Sequence, residues 1–327
     1  MKLRTIGLIS TLALGLFAAP LPAEAQQAEK VYRIGYLSHK AGPGATDKAL
    51  LQALRGLGWV EGQNIAIEYR WTARKQDRLP ALAEELVRLK VDLIVASTGS
   101  RVQAAMNATT TIPIIMLSSA DALENGLITS LARPGGNVTG RSWQYSDVHT
   151  KLLEWLHETL PQVTRVGFLW NPTVSVYMRT FRKAQAVAPA LGLTLQSLEM
   201  RRAEELESAL DAAVQERVGA LVVMGRMYWD YGRRIAEFAA ENQVPVFSIS
   251  SRNVEKHFGL LAYAPDFIDM YRRSATYVDK ILKGAKPADL PVGQPTKFEL
   301  IINLKTAKAL DLTIPPEVLY QATKVVK

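Results

Sequence analysis

The sequence predicts an α/β protein built from two similar lobes, each a sheet covered by helices, with a ligand cleft between them. Three observations carry this expectation. The chain has 327 residues, two domains' worth at ~150 residues each. Short β-branched runs alternate with stretches of helical spacing, the pattern of parallel sheets joined by crossover helices. The two halves also repeat one another. Arg33-Ile34-Gly35-Tyr36-Leu37 matches Arg165-Val166-Gly167-Phe168-Leu169, and Ile112-Pro113-Ile114 matches Val244-Pro245-Val246, both at an offset of 132. Val91-Asp92-Leu93-Ile94-Val95 faces Gly219-Ala220-Leu221-Val222-Val223 at an offset of 128. Three matches in one order, with the same element types between them, point to a duplicated unit.

Taken in order, residues 1–25 have the form of a secretory signal peptide. Lys2 and Arg4 supply its basic start, Ile6 to Ala19 its apolar run, and Ala23-Glu24-Ala25 a small-x-small cleavage site. Pro20 and Pro22 stop the run before it is long enough for a membrane anchor. Strands are predicted at 32–37, 64–71, 91–97, 112–118, 165–170, 193–198, 220–224, 244–249, 260–263 and 298–302. Helical spacing appears over 46–57, 79–90, 100–109, 203–216 and 229–241, the first ending at Gly58.

Composition narrows the function classes. Hydrophobic residues make up 48% and charged residues 21% of the chain, an ordinary balance for buried cores. The absence of cysteine excludes disulfides, thiolate metal sites, a cysteine nucleophile and a lipidated N-terminal cysteine. Without Lys2, Arg4 and Glu24 the remaining 302 residues carry 37 basic and 30 acidic side chains, a net +7. The basic residues are scattered among acids, as in Glu84-Glu85-Leu86-Val87-Arg88, so they predict a solvated surface and no nucleic-acid partner.

In open parallel sheets, ligands bind beyond the carboxyl ends of strands. That rule selects Ser38-His39, Ser97-Thr98-Gly99-Ser100 and Ser118-Ser119-Ala120-Asp121 in the first half. It selects Trp170-Asn171, Gly225-Arg226 with Tyr228, and Ser250-Ser251 in the second. Thr98-Gly99-Ser100 opens a helix where hydroxyls and free amides can hold an anion, or it is a simple cap. Asp121 can take an amine or hydroxyl, or cap a helix beginning near Ala122. Asn171, before Pro172, can start a turn or contact ligand. Arg226 can clamp an acid or form a surface ion pair. Of Trp143, Tyr145, Tyr177, Tyr228 and Trp229, one or two are expected to touch ligand and the rest to pack in cores.

Enzyme signatures fail on inspection. Gly135-Gly136-Asn137-Val138-Thr139-Gly140-Arg141-Ser142 has phosphate-loop glycines, but arginine replaces the lysine, and Pro134–Asn137 suits a tight turn better. Gly56-Leu57-Gly58 with Gly62 is a helix stop. His39, His149, His157 and His257 show no metal-ligand spacing, no Gly-x-Ser-x-Gly elbow occurs, and no carboxylate pair stands out.

Four stretches resemble the substrate-binding proteins of ABC transporters whose relatives include tryptophan and tyrosine binders. They are Arg33-Ile34-Gly35-Tyr36-Leu37-Ser38, Gly58-Trp59-Val60-Glu61-Gly62-Gln63-Asn64-Ile65, the run from Leu131 to Gly140, and the tail from Gln294 to Leu310. The resemblance implies a type 1 periplasmic-binding-protein fold, two Rossmann-like three-layer lobes joined by a crossover hinge. It also implies closure on a small organic solute, such as an amino acid or an aromatic or carboxylate-bearing compound, and delivery to a permease with a separate ATPase. Relatives commonly carry Asp-Pro-Val-Gly where this chain has Asp121-Ala122-Leu123-Glu124, and Gly225-Arg226-Met227-Tyr228-Trp229 is bulkier than the resemblance suggests.

The expected product is a periplasmic, monomeric, non-enzymatic receptor without cofactor or metal. One lobe covers 28–143 and 266–292, the other 144–265 and 293–327. Ser38, Thr98, Gly99, Ser100, Ser119 and Asp121 form one wall of the site; Asn171, Arg226, Tyr228 and Ser250 form the other. The alternatives are an exported α/β hydrolase and a ligand-sensing receptor for a membrane signalling protein.

Overall fold

The computed structural model describes residues 30–327 except Arg74, Arg226 and His257. The signal peptide expected over residues 1–25 and the candidate ligand residue Arg226 therefore lie outside the described residues.

The first sheet is built from β1 (Tyr32–Ser38), β2 (Ile65–Trp71), β3 (Leu93–Ala96), β4 (Ile114–Ala120) and β5 (Val138–Trp143). Helices α1 (Ala45–Gly56), α2 (Leu79–Arg88) and α3 (Gly99–Ala108) connect its first four strands. The sheet is parallel throughout, in the order β2-β1-β3-β4-β5. Its central strands β1, β3 and β4 are buried on both faces, which explains why they read as apolar runs without alternation. Ile34, Tyr36 and Leu117 point to one face, Leu37, Ile94 and Met116 to the other.

The chain then crosses into α4 (Tyr145–Thr159). It builds β6 (Arg165–Trp170), α5 (Ser175–Val187), β7 (Thr194–Glu199), α6 (Leu206–Gln215), β8 (Ala220–Val223), α7 (Met227–Glu241), β9 (Val246–Ser248), α8 (Ser251–Lys256) and β10 (Leu261–Pro265). After α9 (Phe267–Leu282) it ends with β11 (Phe298–Asn303), α10 (Leu304–Ala309), α11 (Pro316–Gln321) and β12 (Lys324–Val326). The second sheet runs β7-β6-β8-β9-β10-β11-β12 and is parallel except between β10 and β11. Its first five strands repeat the order of the first sheet position by position. The matches β1/β6, β3/β8 and β4/β9 found in the sequence are thus topological equivalents.

Each crossing helix packs on the sheet it enters. Val148, Leu152 and Leu156 of α4 join Val166 and Phe168 of the second sheet. Tyr271, Ala275 and Val278 of α9 join Ile34, Tyr36 and Leu117 of the first. Asp266 opens α9 by accepting a hydrogen bond from the Asp269 N–H at 2.8 Å, the expected N-cap chemistry.

Two local expectations are corrected. No helix begins near Ala122: Asp121 adopts φ +46°, and residues 121–127 close as turns through Asn125 N–H to Asp121 O and Leu127 N–H to Ala122 O, both 2.9 Å. The run dismissed as a phosphate loop ends in strand β5. Its polar side chains hid it, and two of them bond to neighbouring segments: Thr139 donates to Leu290 O at 2.7 Å, and Ser142 Oγ accepts from Ala122 N–H at 3.1 Å.

Candidate functional site

In a sheet ordered 2-1-3-4-5, the ligand crevice lies at the carboxyl ends beside the β1/β3 switch point. Ser38 ends β1 there and is fully buried. Thr98 stands before α3 in extended conformation, its side chain making no capping bond. Gly99 and Ser100 begin the helix. The first turn of α3 carries a feature that sequence reasoning missed. Arg101 is 3% exposed, and its guanidinium donates to Ser100 Oγ at 2.6 Å and approaches Thr98 Oγ1 at 3.4 Å. A buried cation at a helix N-terminus adds its charge to that of the free amides. This end of the first lobe is therefore suited to a carboxylate.

Beside it lies a second polar group, also missed. The buried Asp47 carboxylate accepts from Tyr36 Oη, Lys40 Nζ and the Gly44 N–H. Lys40 Nζ also sits 5.3 Å from the Tyr271 ring centre. The Tyr271 hydroxyl faces Thr46 and Ser118, and burial holds its proton more tightly than usual. Tyr271 comes from the far end of the sequence, so nothing in the first half announces it.

After β4, Ser119 is fully buried and its hydroxyl makes no hydrogen bond among the described residues. A register shift between Met116 and Ser119 re-aims this strand end. Asp121 is 7% exposed; its Oδ1 accepts the Tyr145 N–H at 2.7 Å, while Oδ2 is buried without a partner. Burial pushes its carboxyl up to about 6, opposed by that backbone bond and reinforced by Glu124. Asp121 does cap a helix, but the helix is α4, where the chain crosses between the sheets.

Aromatic rings surround that crossing. Tyr145 lies 5.3 Å from Trp143 and stacks on Tyr177 at 5.6 Å and 27°; Trp143 meets Phe267 edge-on at 5.5 Å. His149 beneath Tyr145 is fully buried, and burial pushes it down to about 4, so it is neutral near pH 7. Glu124, flagged in the sequence as unusual, pairs with Arg179 of α5 at 3.3 Å.

On the second lobe, Asn171, Tyr177, Arg201, Met227, Asp230 and Tyr231 line a cavity of about 250 Å³. The Asn171 side chain is engaged locally, accepting from Thr173 N–H at 2.8 Å and donating to Arg201 O at 3.2 Å. Ser250 precedes α8, its N–H donating to Ser248 Oγ at 3.2 Å. Tyr228 packs inward. Its ring is 2% exposed within the apolar layer of Ile235, Phe238 and Val246, and its hydroxyl donates to Phe247 O at 3.2 Å. It is held in the core by burial, with its hydroxyl committed to the backbone.

The profile of the ABC transporter substrate binding protein family matches residues 33–326. The chain belongs to that family. Its members are substrate-binding proteins, not enzymes, and are typically extracytoplasmic. A tyrosine-binding protein of Clostridioides difficile (strain R20291) is 28% identical to this family member over 266 residues, spanning 81% of the chain and 76% of the relative. A solved ABC domain from Streptococcus pneumonia in complex with L-Trp is 26% identical, covering 91% of this chain and all of that one, with a TM-score of 0.82. The ligand-free, open structure of a substrate-binding protein with adhesive properties from Clostridium difficile is 25% identical, covering 91% and 99%, with a TM-score of 0.73. The fold is that of type 1 periplasmic binding proteins.

Proposed function

We propose that this chain is the solute-binding component of an ABC importer, closing on an aromatic amino acid and delivering it to a permease with a separate ATPase. The observation that carries the substrate class is the pairing of opposite chemistries at the carboxyl end of one sheet. Arg101 and the α3 amides suit a carboxylate, Asp121 with its partnerless Oδ2 suits an ammonium, and the half-buried Tyr177, stacked on Tyr145, brings an aromatic ring to the same crossing. The tyrosine-binding and L-Trp-bound relatives support the same class.

In this reading Ser38, Thr98, Gly99, Ser100, Ser119 and Asp121 form the first wall, and Asn171 and Ser250, with Arg226, close from the second. The lobes comprise 28–143 with 266–292, and 144–265 with 293–327. Residues 1–25 are removed on export to the periplasm, where the protein works as a monomer. Closure follows ligand because a solute touching both lobes binds the closed form more tightly, and only differential affinity shifts a hinge. Hinge closure of this kind is well established for periplasmic binding proteins in general.

A thermal-shift panel of amino acids, sugars and nucleosides on residues 26–327 tests the class. Aromatic amino acids are expected to raise Tm saturably, by the equivalent of about 2.7 kcal/mol at 100 times Kd. A response confined to sugars or nucleosides contradicts the proposal. Arg101→Met keeps the alkyl stem and removes the charge. Its affinity for the responding amino acid is expected to fall at least about tenfold, the scale of a hydrogen bond to a charged group. Unchanged affinity in a calorimetric titration removes Arg101 from the site.

A further inference from the structure

Arg141 lies on β5, away from the strand-end loops just described, and is only 6% exposed. Its Nη2 donates to Gln294 O, and its Nε is buried without a hydrogen bond. No carboxylate among the described residues pairs with it within 4 Å. A buried guanidinium without a counter-charge is costly, and breaking such a pair costs several kcal/mol in known cases. Burial and the neighbouring Arg273 both weaken its hold on its proton.

Around Arg141 the chain leaves a cavity of about 380 Å³, lined also by Arg273, Thr276, Tyr277 and Lys280 of α9 and by the Leu290–Pro291 turn. Positive charge dominates this cavity. The nearest carboxylate in the network, Asp269, is shared among Arg273 at 2.7 Å, Arg272 at 3.3 Å and Lys297 at 3.6 Å. The cavity is also built. Tyr277 Oη donates to Pro291 O at 2.9 Å and fixes the turn. Ser142 N–H donates to Gly293 O at 3.0 Å, and Gly293 N–H to Gly140 O at 2.9 Å, zipping that segment to β5. The backbone of Gly293 runs close to both side-chain ends, since a Cβ there would fall 2.8 Å from Arg141 Nη1 and 2.9 Å from Tyr277 Oη.

We infer that Arg141, Arg273 and Lys280 form a second binding site for a phosphate-class oxyanion at the root of the hinge, separate from the solute cleft. Arginine is suited to bidentate recognition of such an oxyanion, and lysine adds a point charge. The site touches two of the segments that run between the lobes, β5 leading to α4 and residues 290–294 leading to β11. The cavity has room for an ester substituent on the phosphate as well as for the free ion.

The test is a titration of residues 26–327 with inorganic phosphate and with glycerol 3-phosphate, at constant ionic strength against chloride, read by thermal shift and calorimetry. Wild type is expected to respond saturably to at least one probe, and which one responds distinguishes free ion from ester. Lys280→Gln, an exposed substitution, is expected to weaken the response at least about tenfold. Arg141→Met is expected to abolish it. Both variants are expected to keep the wild-type affinity for the cleft solute. No saturable response to either probe in the wild type overturns the inference, as does a response that Lys280→Gln leaves unchanged.

Discussion

Replacing Asp121 by asparagine is expected to weaken amino-acid binding at least about tenfold while leaving the fold intact. The amide oxygen can still accept the Tyr145 N–H that Oδ1 holds at 2.7 Å, so the cap on α4 survives. What disappears is the charge that faces the ligand through Oδ2, which has no other partner. Because burial pushes this carboxyl up to about 6, the effect has a pH signature. An ammonium needs the ionised form, roughly nine-tenths populated at pH 7 and one-tenth at pH 5 for such a group, so wild-type affinity is expected to fall ~tenfold between them. Stability moves the other way. The folded-state pKa is raised, so the folded protein binds the proton more tightly than the unfolded chain. The resulting stabilisation is present at low pH and lost as pH rises from the ordinary value of 3.8 to about 6. Asp121→Asn is expected to flatten both dependences. Calorimetric titrations of the two proteins at pH 5, 6 and 7 check this; a pH-independent wild-type affinity contradicts it.

Gly140→Ala is expected to lose at least ~3 kcal/mol, a fall in Tm of roughly 5–10 °C. Gly140 sits at φ +125°, and a Cβ there would fall 2.2 Å from Met116 O and 2.6 Å from Met116 N. Both obstacles are backbone of the neighbouring strand β4, at the start of its register shift, so no side-chain rotation relieves them. Displacing this strand also displaces Ser119 and Asp121 at its end, and solute affinity is expected to fall with stability. Gly136→Ala is the control, since nothing lies within 4 Å of a Cβ there. Its Tm is expected to stay near or slightly above that of the wild type. Equal melting of Gly140→Ala and the wild type contradicts the close approach of β4 and β5.

The sheet framework was legible because strands buried on both faces must be apolar, and ten of the twelve strands among the described residues were placed within a few residues. The repeat survived in β1/β6, β3/β8 and β4/β9 because these central strands tolerate little else. Strand β5 escaped detection because its polar side chains bond to neighbouring turns, and β12 because three residues carry no periodicity. Part of the proposed site could be read from sequence: the switch-point rule selected Thr98, Ser119 and Asp121 from strand ends alone. It could not reveal Arg101, which resembles any helical arginine until its burial is known, or Tyr271, delivered by a helix some 150 residues away in sequence. The inward packing of Tyr228 was not legible, because aromatic type alone does not say which side of a helix faces the core.

Isothermal titration of residues 26–327 with L-tryptophan, L-tyrosine and L-phenylalanine, followed by mass analysis of the recovered solute, tests the receptor reading most directly. The account predicts saturable one-to-one binding of at least one of them and its recovery unchanged. No binding of any of the three, or recovery of a chemically altered solute, would contradict it.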